Sequence, residues 1–237
     1  MNQPRMLWLA VLAPFVVLSG CTLPQRGTPV LVRGEPAEGP LALDIENLHG
    51  GVTVEVDARA AGPRISIESP EGADLGTWAA AQIDPGEVHP VLRVLVQPKA
   101  GSATPHADVR ITVRAMSGVR VRTAGGPIVV SGASGAADAQ SGDDVVRGGD
   151  VRVAFAQPID SPVLVRSSGG DVYLDAPVGS RGLLVIKSPV QPSFDGQGQI
   201  CAFKSTSGGG WSSDLGPGGF EIRLVADKGS ASVRLRR

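Results

Sequence analysis

The sequence predicts an all-β fold: a single domain of short strands stacked in parallel, in the manner of a β-helix or solenoid, with glycine-rich corners. Three observations lead there. Among 237 residues there are 32 glycines and 19 prolines, and aromatics make up only 4%, a composition that interrupts helices and suits short strands and turns. Apolar and polar residues alternate over short runs, the period of a half-buried strand. Beyond Ser117 a unit of strand, polar residue, small-residue bend and second strand recurs in tandem, as a repeat architecture requires. An antiparallel β-sandwich would also show short strands and glycine turns. The tandem recurrence favours the stack.

In chain order, residues 1–20 read as a signal peptide. Arg5 supplies a positive start, and Met6 to Leu18 is apolar apart from Pro14. That run is too short to span a bilayer as a helix but suits a secretory core. Leu18, Ser19, Gly20 and Cys21 together resemble the lipobox of bacterial lipoproteins. The resemblance implies that the Cys21 thiol is diacylated, that cleavage falls just before it, and that the new amino terminus is acylated as well. Two or more acyl chains anchor a protein stably where one does not, so the expected partner of this end is a membrane. Thr22, in place of Asp, resembles the lipoproteins sent on to an outer membrane. With Cys21 lipidated, Cys201 has no disulfide partner. It sits between Ile200 and Ala202, where a small packed hydrophobe is expected rather than a nucleophile, since no histidine lies near it in sequence.

Residues 21–40 form the lipidated cysteine and a tether. Prolines at 24, 29, 36 and 40 with interspersed glycines read as an extended, unpacked segment. The β-strand-repeat domain is expected over 41–237. Leu41, Leu43 and Ile45 alternate before Gly50-Gly51, and Val52, Val54 and Val56 alternate after it. Residues 63–69, 91–98 and 107–115 repeat the strand pattern, whereas 70–90, with Trp78 and a run of alanines, reads as a short helix or long loop. In the repeat, the residue before each bend is Arg122, Gln140, Arg166, Lys187, Lys204 and Ala226, at intervals of 18, 26, 21, 17 and 22. The long interval is expected to hold an extra strand within 148–161. Val119, Val121, Val163, Val165, Leu184 and Ile186 should face inward, and Arg120, Arg122, Arg166 and Lys187 outward.

The bends are the first candidates for chemistry. Ser167-Ser168-Gly169-Gly170 and Gly208-Gly209-Gly210 lead into strands, not into a helix, so they lack the context of a phosphate loop; the glycines are expected there for positive φ. Asp143, Asp144, Asp150 and Asp171 lie beside glycines but without the spacing of calcium-binding repeats. His49, His89 and His106 have no ligand partner at metal spacing. Asp171 and Asp175 stand about 13 Å apart along one strand, too far for a glycosidase pair. Trp211 and Tyr173 are read as rings covering the ends or seams of a thin core. A net charge of −1 offers no phosphate-neutralising field, so nucleic acid is not an expected partner. No catalytic residue, cofactor or metal is expected.

The runs 43–56, 107–132 and 163–177 resemble an adhesin-like family of bacterial β-strand-repeat proteins, a domain of largely unknown function. The pattern that carries the resemblance is strand, small residue, Gly-Gly or Gly-Asp, strand. It implies a non-enzymatic envelope or cell-surface interaction module or scaffold, with an envelope protein or polysaccharide as partner. The competing expectation is a β-helix polysaccharide lyase or hydrolase, which a groove gathering carboxylates and aromatics would favour.

Overall fold

The computed structural model describes residues 27–35, 39–68, 77–98, 107–196, 203–206 and 209–237. The expected signal peptide, the lipobox Leu18 to Cys21, His106 and Cys201 lie outside these residues.

Strands account for all the regular structure among the described residues. The first eight are β1 (Thr28–Pro29), β2 (Val32–Arg33), β3 (Leu41–Asn47), β4 (Val52–Val56), β5 (Arg64–Glu68), β6 (Thr77–Asp84), β7 (Val91–Pro98) and β8 (Asp108–Val113). The repeat follows with β9 (Met116–Thr123), β10 (Ile128–Ala133), β11 (Ala136–Ser141), β12 (Val151–Phe155), β13 (Val163–Ser167) and β14 (Val172–Pro177). The last six are β15 (Leu183–Lys187), β16 (Ser193–Asp195), β17 (Lys204–Ser205), β18 (Trp211–Asp214), β19 (Glu221–Ala226) and β20 (Ala231–Arg236).

Nine strands form one sheet in the order β1-β5-β8-β4-β10-β12-β14-β20-β16, and eleven form the other in the order β17-β18-β15-β19-β13-β11-β9-β3-β7-β6-β2. Each coil gives one strand to each sheet, so the expected parallel stack is the architecture. Through the middle every ladder is parallel, as in β9–β11, β11–β13 and β10–β12. Antiparallel pairing is confined to the ends, at β1–β5, β5–β8 and β6–β7, and at β15–β18 and β17–β18.

The coils are not stacked in chain order. β3–β4 lies inside β7–β8, so the chain builds outward to one end and then returns to lay β9–β10 on the other side of β3–β4. At the far end β15–β16 leaves a coil's width beyond β13–β14, and β19–β20 fills it. The carboxyl-terminal coil is therefore internal.

Alternation explains why these residues form these strands. Val119, Val121, Val163, Val165, Leu184 and Ile186 are all buried between the sheets, in one core with Phe155, Leu174, Ile222 and Leu224. Fully burying such a side chain stabilises by about 1.5–3 kcal/mol. Arg120, Arg122 and Lys187 are exposed. Arg166 is only half exposed, because Asp227 draws it down to 3.0 Å.

Several expectations are corrected. Residues 77–84, including Trp78, are a strand, β6, paired antiparallel with β7: Ala81 is buried and Gln82 exposed, and pairing with β7 overrides the helical preference of alanine. Within the expected tether, Thr28–Pro29 and Val32–Arg33 pair with β5 and β6. The long interval holds no extra strand; β12 is the ordinary second strand of its coil, and the added length lies in the corners at 142–150 and 156–162. Lys204 belongs to an antiparallel end hairpin, since among the described residues β17 pairs only with β18. In the last unit the equivalent of Arg166 is Val225, not Ala226.

Candidate functional site

The corners that carry the chain from the eleven-stranded sheet to the nine-stranded one hold the densest polar chemistry. Parallel register brings Asn47, Thr123, Ser141 and Ser167 side by side. All four are buried, and a buried polar group without a partner is costly. Each finds its partner in a glycine corner. Asn47 Nδ2 donates to Gly51 O at 3.0 Å and Ala107 O at 2.8 Å. Thr123 Oγ1 and Ser141 Oγ both donate to Gly126 O, at 2.9 and 2.6 Å. Ser167 Oγ donates to Gly149 O at 2.7 Å and accepts from Gly170 N at 2.8 Å. Ala226 occupies the next position and Ser188 the one beyond it.

At Gly126, Gly169, Gly170 and Gly229 close approach rather than backbone angle requires glycine, which corrects the expectation of positive φ at Gly169-Gly170, whereas Gly209 has the expected positive φ, 76°. A Cβ on Gly126 would lie 2.0 Å from Gly50 O, and one on Gly229 would lie 2.2 Å from Gly170 O; neither residue has positive φ. The glycine pairs let one coil's backbone rest on the next. Gly169-Gly170 is thus one step of a ladder, not a ligand loop.

The turn aspartates serve the same ladder. Asp108 Oδ1 accepts from Gly51 N at 2.7 Å, and Asp150 Oδ1 accepts from Asp171 N at 2.8 Å. Asp171 accepts from the Ser230 N–H and hydroxyl at 2.7 and 3.0 Å, and from the Tyr173 hydroxyl at 3.0 Å. The Ser230 backbone N–H, first among these, holds the Asp171 carboxyl below its ordinary pKa, and the Asp171 carboxylate in turn raises that of the Tyr173 phenol. Asp143 accepts from the N–H groups of Val146 and Val145, which lower its pKa. Asp144 faces solvent within 3.6 Å of Arg166. Among the described residues no three His, Cys, Asp or Glu side chains converge. His49 turns the first corner, where its carbonyl accepts from Ala107 N, and His89 lies in the β6–β7 turn.

The outward faces carry what the corners leave free. Across the eleven-stranded sheet, one row runs Arg93, Asp44, Arg120, Asp138, Leu164, Arg223. The next runs Glu46, Arg122, Gln140, Arg166, Val225, Lys187. Arg120 lies 3.9 Å from Asp44 and Arg122 lies 3.2 Å from Asp138, so opposite charges meet between strands. Two depressions of about 630 and 470 Å³ share Leu164 and Arg223 on this face. Their floors are apolar and their rims charged, a surface suited to a broad partner.

A groove of about 400 Å³ on the nine-stranded sheet gathers Arg152, Tyr173, Asp175, Phe194, Asp195 and Arg234. It is the place where carboxylates and aromatics meet. The Arg152 guanidinium lies 4.8 Å from the Tyr173 ring centre. Asp195 lies 3.5 Å from Arg234, and Asp175 lies 3.0 Å from Arg236 Nε, an ion pair rather than an aligned hydrogen bond. Both carboxylates thus face arginines across the groove, an arrangement of paired charges that suits binding polar groups. Tyr173 and Trp211 are half-buried. Trp211 packs on the core with Phe194 and Phe203, whose rings meet edge to face at 5.7 Å, so the aromatics cover the stack's far end as expected.

Neither the ladder's side-chain set nor the charged rows were found by sequence reasoning. For the ladder a signal existed: Asn, Thr, Ser and Ser each close a strand just before the glycine corner.

Comparison with protein-family models and with curated proteins gives no match. Two solved structures are similar. One is a candidate cell adhesion protein from Clostridium sporogenes, 12% identical, with a TM-score of 0.58, covering 88% of this chain and 98% of that one. The other is a candidate adhesin from Bacteroides fragilis, 9% identical, with a TM-score of 0.33, covering 85% and 94%. The first likeness establishes a shared fold.

Proposed function

We propose that this chain is an exported lipoprotein, anchored through lipid on Cys21 in an outer membrane, whose rigid non-enzymatic stack is an adhesin-like interaction or scaffold module of the cell envelope. One observation carries the reading. The glycine, serine and aspartate corners, the chain's best candidates for ligand chemistry, are occupied by coil-to-coil hydrogen bonds, so the outward faces with their depressions and groove are left as its chemical surface. Fold alone does not specify function; the adhesion names of the two similar structures agree with this reading as analogy. The partner is an envelope protein or polysaccharide that meets the charged rows of the eleven-stranded sheet.

Two experiments test it. Labelling with a lipid precursor should mark the wild-type chain and not Cys21→Ala; equal labelling of both overturns the anchor. Capture from envelope extracts with the full chain should retain a partner that Arg166→Glu with Arg223→Glu releases. Equal retention by that variant removes the face from the account.

A further inference from the structure

We propose that the strap closing the amino-terminal end of the stack, residues 28–33, is a membrane-contact surface, with Leu31 seated at the lipid interface and the stack standing end-on to the bilayer. The inference rests on the lipid-anchor reading of Cys21 and goes beyond it by naming the surface that meets the lipid.

The strap crosses from one sheet to the other. β1 is the edge strand of the nine-stranded sheet, paired with β5, and β2 is the edge strand of the eleven-stranded sheet, paired with β6. Between them Val30 N donates to Ile65 O at 2.9 Å. Val30 and Val32 are partly buried and pack on the core. Leu31, between them, alternates to the other side and is 81% exposed. An exposed leucine on a closing strap gains nothing from the fold. At a bilayer surface it would leave water, as apolar groups of interfacial segments do. Arg33 and Glu35 follow, both exposed, so apolar contact rather than net charge is the attraction.

Chain length ties this end to the anchor. Thr28 is seven residues beyond Cys21, which by any path spans at most about 25 Å. The stack is longer: eight strand intervals from β1 to β16 at about 4.8 Å each amount to about 38 Å. A short leash at one end and an exposed leucine at that same end place the β1–β2 strap against the membrane and carry the β15–β18 end outward. The faces then stand perpendicular to the bilayer, open along their length.

The test uses the full lipidated chain in phosphatidylethanolamine and phosphatidylglycerol vesicles containing brominated lipid. Leu31→Cys and Val190→Cys, each in a Cys201→Ser background, carry a fluorophore; Val190 is 51% exposed on the corner between β15 and β16. The label at 31 should be quenched roughly threefold or more relative to that at 190, as expected for a group at the headgroup boundary. Equal quenching, or stronger quenching at 190, overturns the orientation. Flotation with the vesicles separates the two failures. A chain that does not float has lost the anchor and the orientation with it, whereas a chain that floats with equal quenching has lost the orientation alone.

Discussion

The middle of the stack and its two ends are built by different rules. From β9 to β14 each coil is laid beside its predecessor in chain order, every ladder is parallel, and the corner ladder passes through Thr123, Ser141 and Ser167 without a break. At the ends the order is broken and hairpins such as β6–β7 and β17–β18 complete the sheets. A regular solenoid has two open edges that would template other chains. Here the short strands β1, β2, β16 and β17 stand at the four sheet edges, and the non-sequential coils lock those ends in place.

The sharpest way to break the comparison is to remove one end element of each kind. Truncation after Phe220 takes away β19–β20, which pair on both sides in both sheets, and should abolish cooperative thermal unfolding. Deleting residues 22–39 removes β1 and β2, edge strands that pair on one side each, and should lower Tm by about 5 °C or less. Circular dichroism melts read both; a cooperative transition in the first variant would show that the internal coil is dispensable.

Next in size is the close approach of the corners. Gly126→Ala drives a methyl group into the Gly50 carbonyl and should destabilise by about 2–3 kcal/mol. Gly62→Ala, with open space around its Cβ, should stay within about 0.5 kcal/mol of wild type. Equal urea midpoints for the two variants would refute the stacking of backbone on glycine.

Ser167→Ala removes a buried hydroxyl that donates to Gly149 O and accepts from Gly170 N, at a cost of about 1–3 kcal/mol. An unchanged midpoint would mean that the ladder does not hold the coils together. The smallest effect concerns pH. The Asp171 carboxyl has a folded pKa below its unfolded value, so its contribution is present above about pH 4 and is lost as pH falls through the folded value. Asp171→Asn should therefore flatten the acid limb of the stability profile and, because the carboxylate that raises the Tyr173 pKa is gone, also flatten its alkaline limb above about pH 10. An acid limb as steep as wild type removes Asp171 from the coupling.

The same contrast marks what could be read in advance. Within the middle coils, Val119 and Val121 or Val163 and Val165 declare their inward face by alternation alone, because a strand's two faces are a local property. The stacking order is not local. That β19 enters between β13 and β15 depends on pairings such as Val163 with Ile222 and Leu183 with Glu221, distant in sequence, and no period in the sequence records it. Residues 77–84 were obscured for a related reason: alanines have weak strand preference, and pairing with β7 decides. At the candidate site, Arg120 and Arg122 were legible as outward, but their ion pairs with Asp44 and Asp138 follow only from register between strands far apart in sequence. Ala226 precedes the bend in the last coil, yet Val225 is the residue opposite Arg166, a shift of one that register alone reveals.

The burial of β19–β20 among other coils also governs how the molecule bears load. In a solenoid whose last coil is outermost, tension on the carboxyl terminus peels coils away one at a time. Here a pull on Arg237 acts on a coil gripped from both sides, whose parallel ladders with β13, β14 and β15 must slip together before it comes free. Optical-trap extension from residues 28 and 237 should show one high-force rupture rather than a staircase. A chain held at one end and tugged at the other would be at its strongest in that direction.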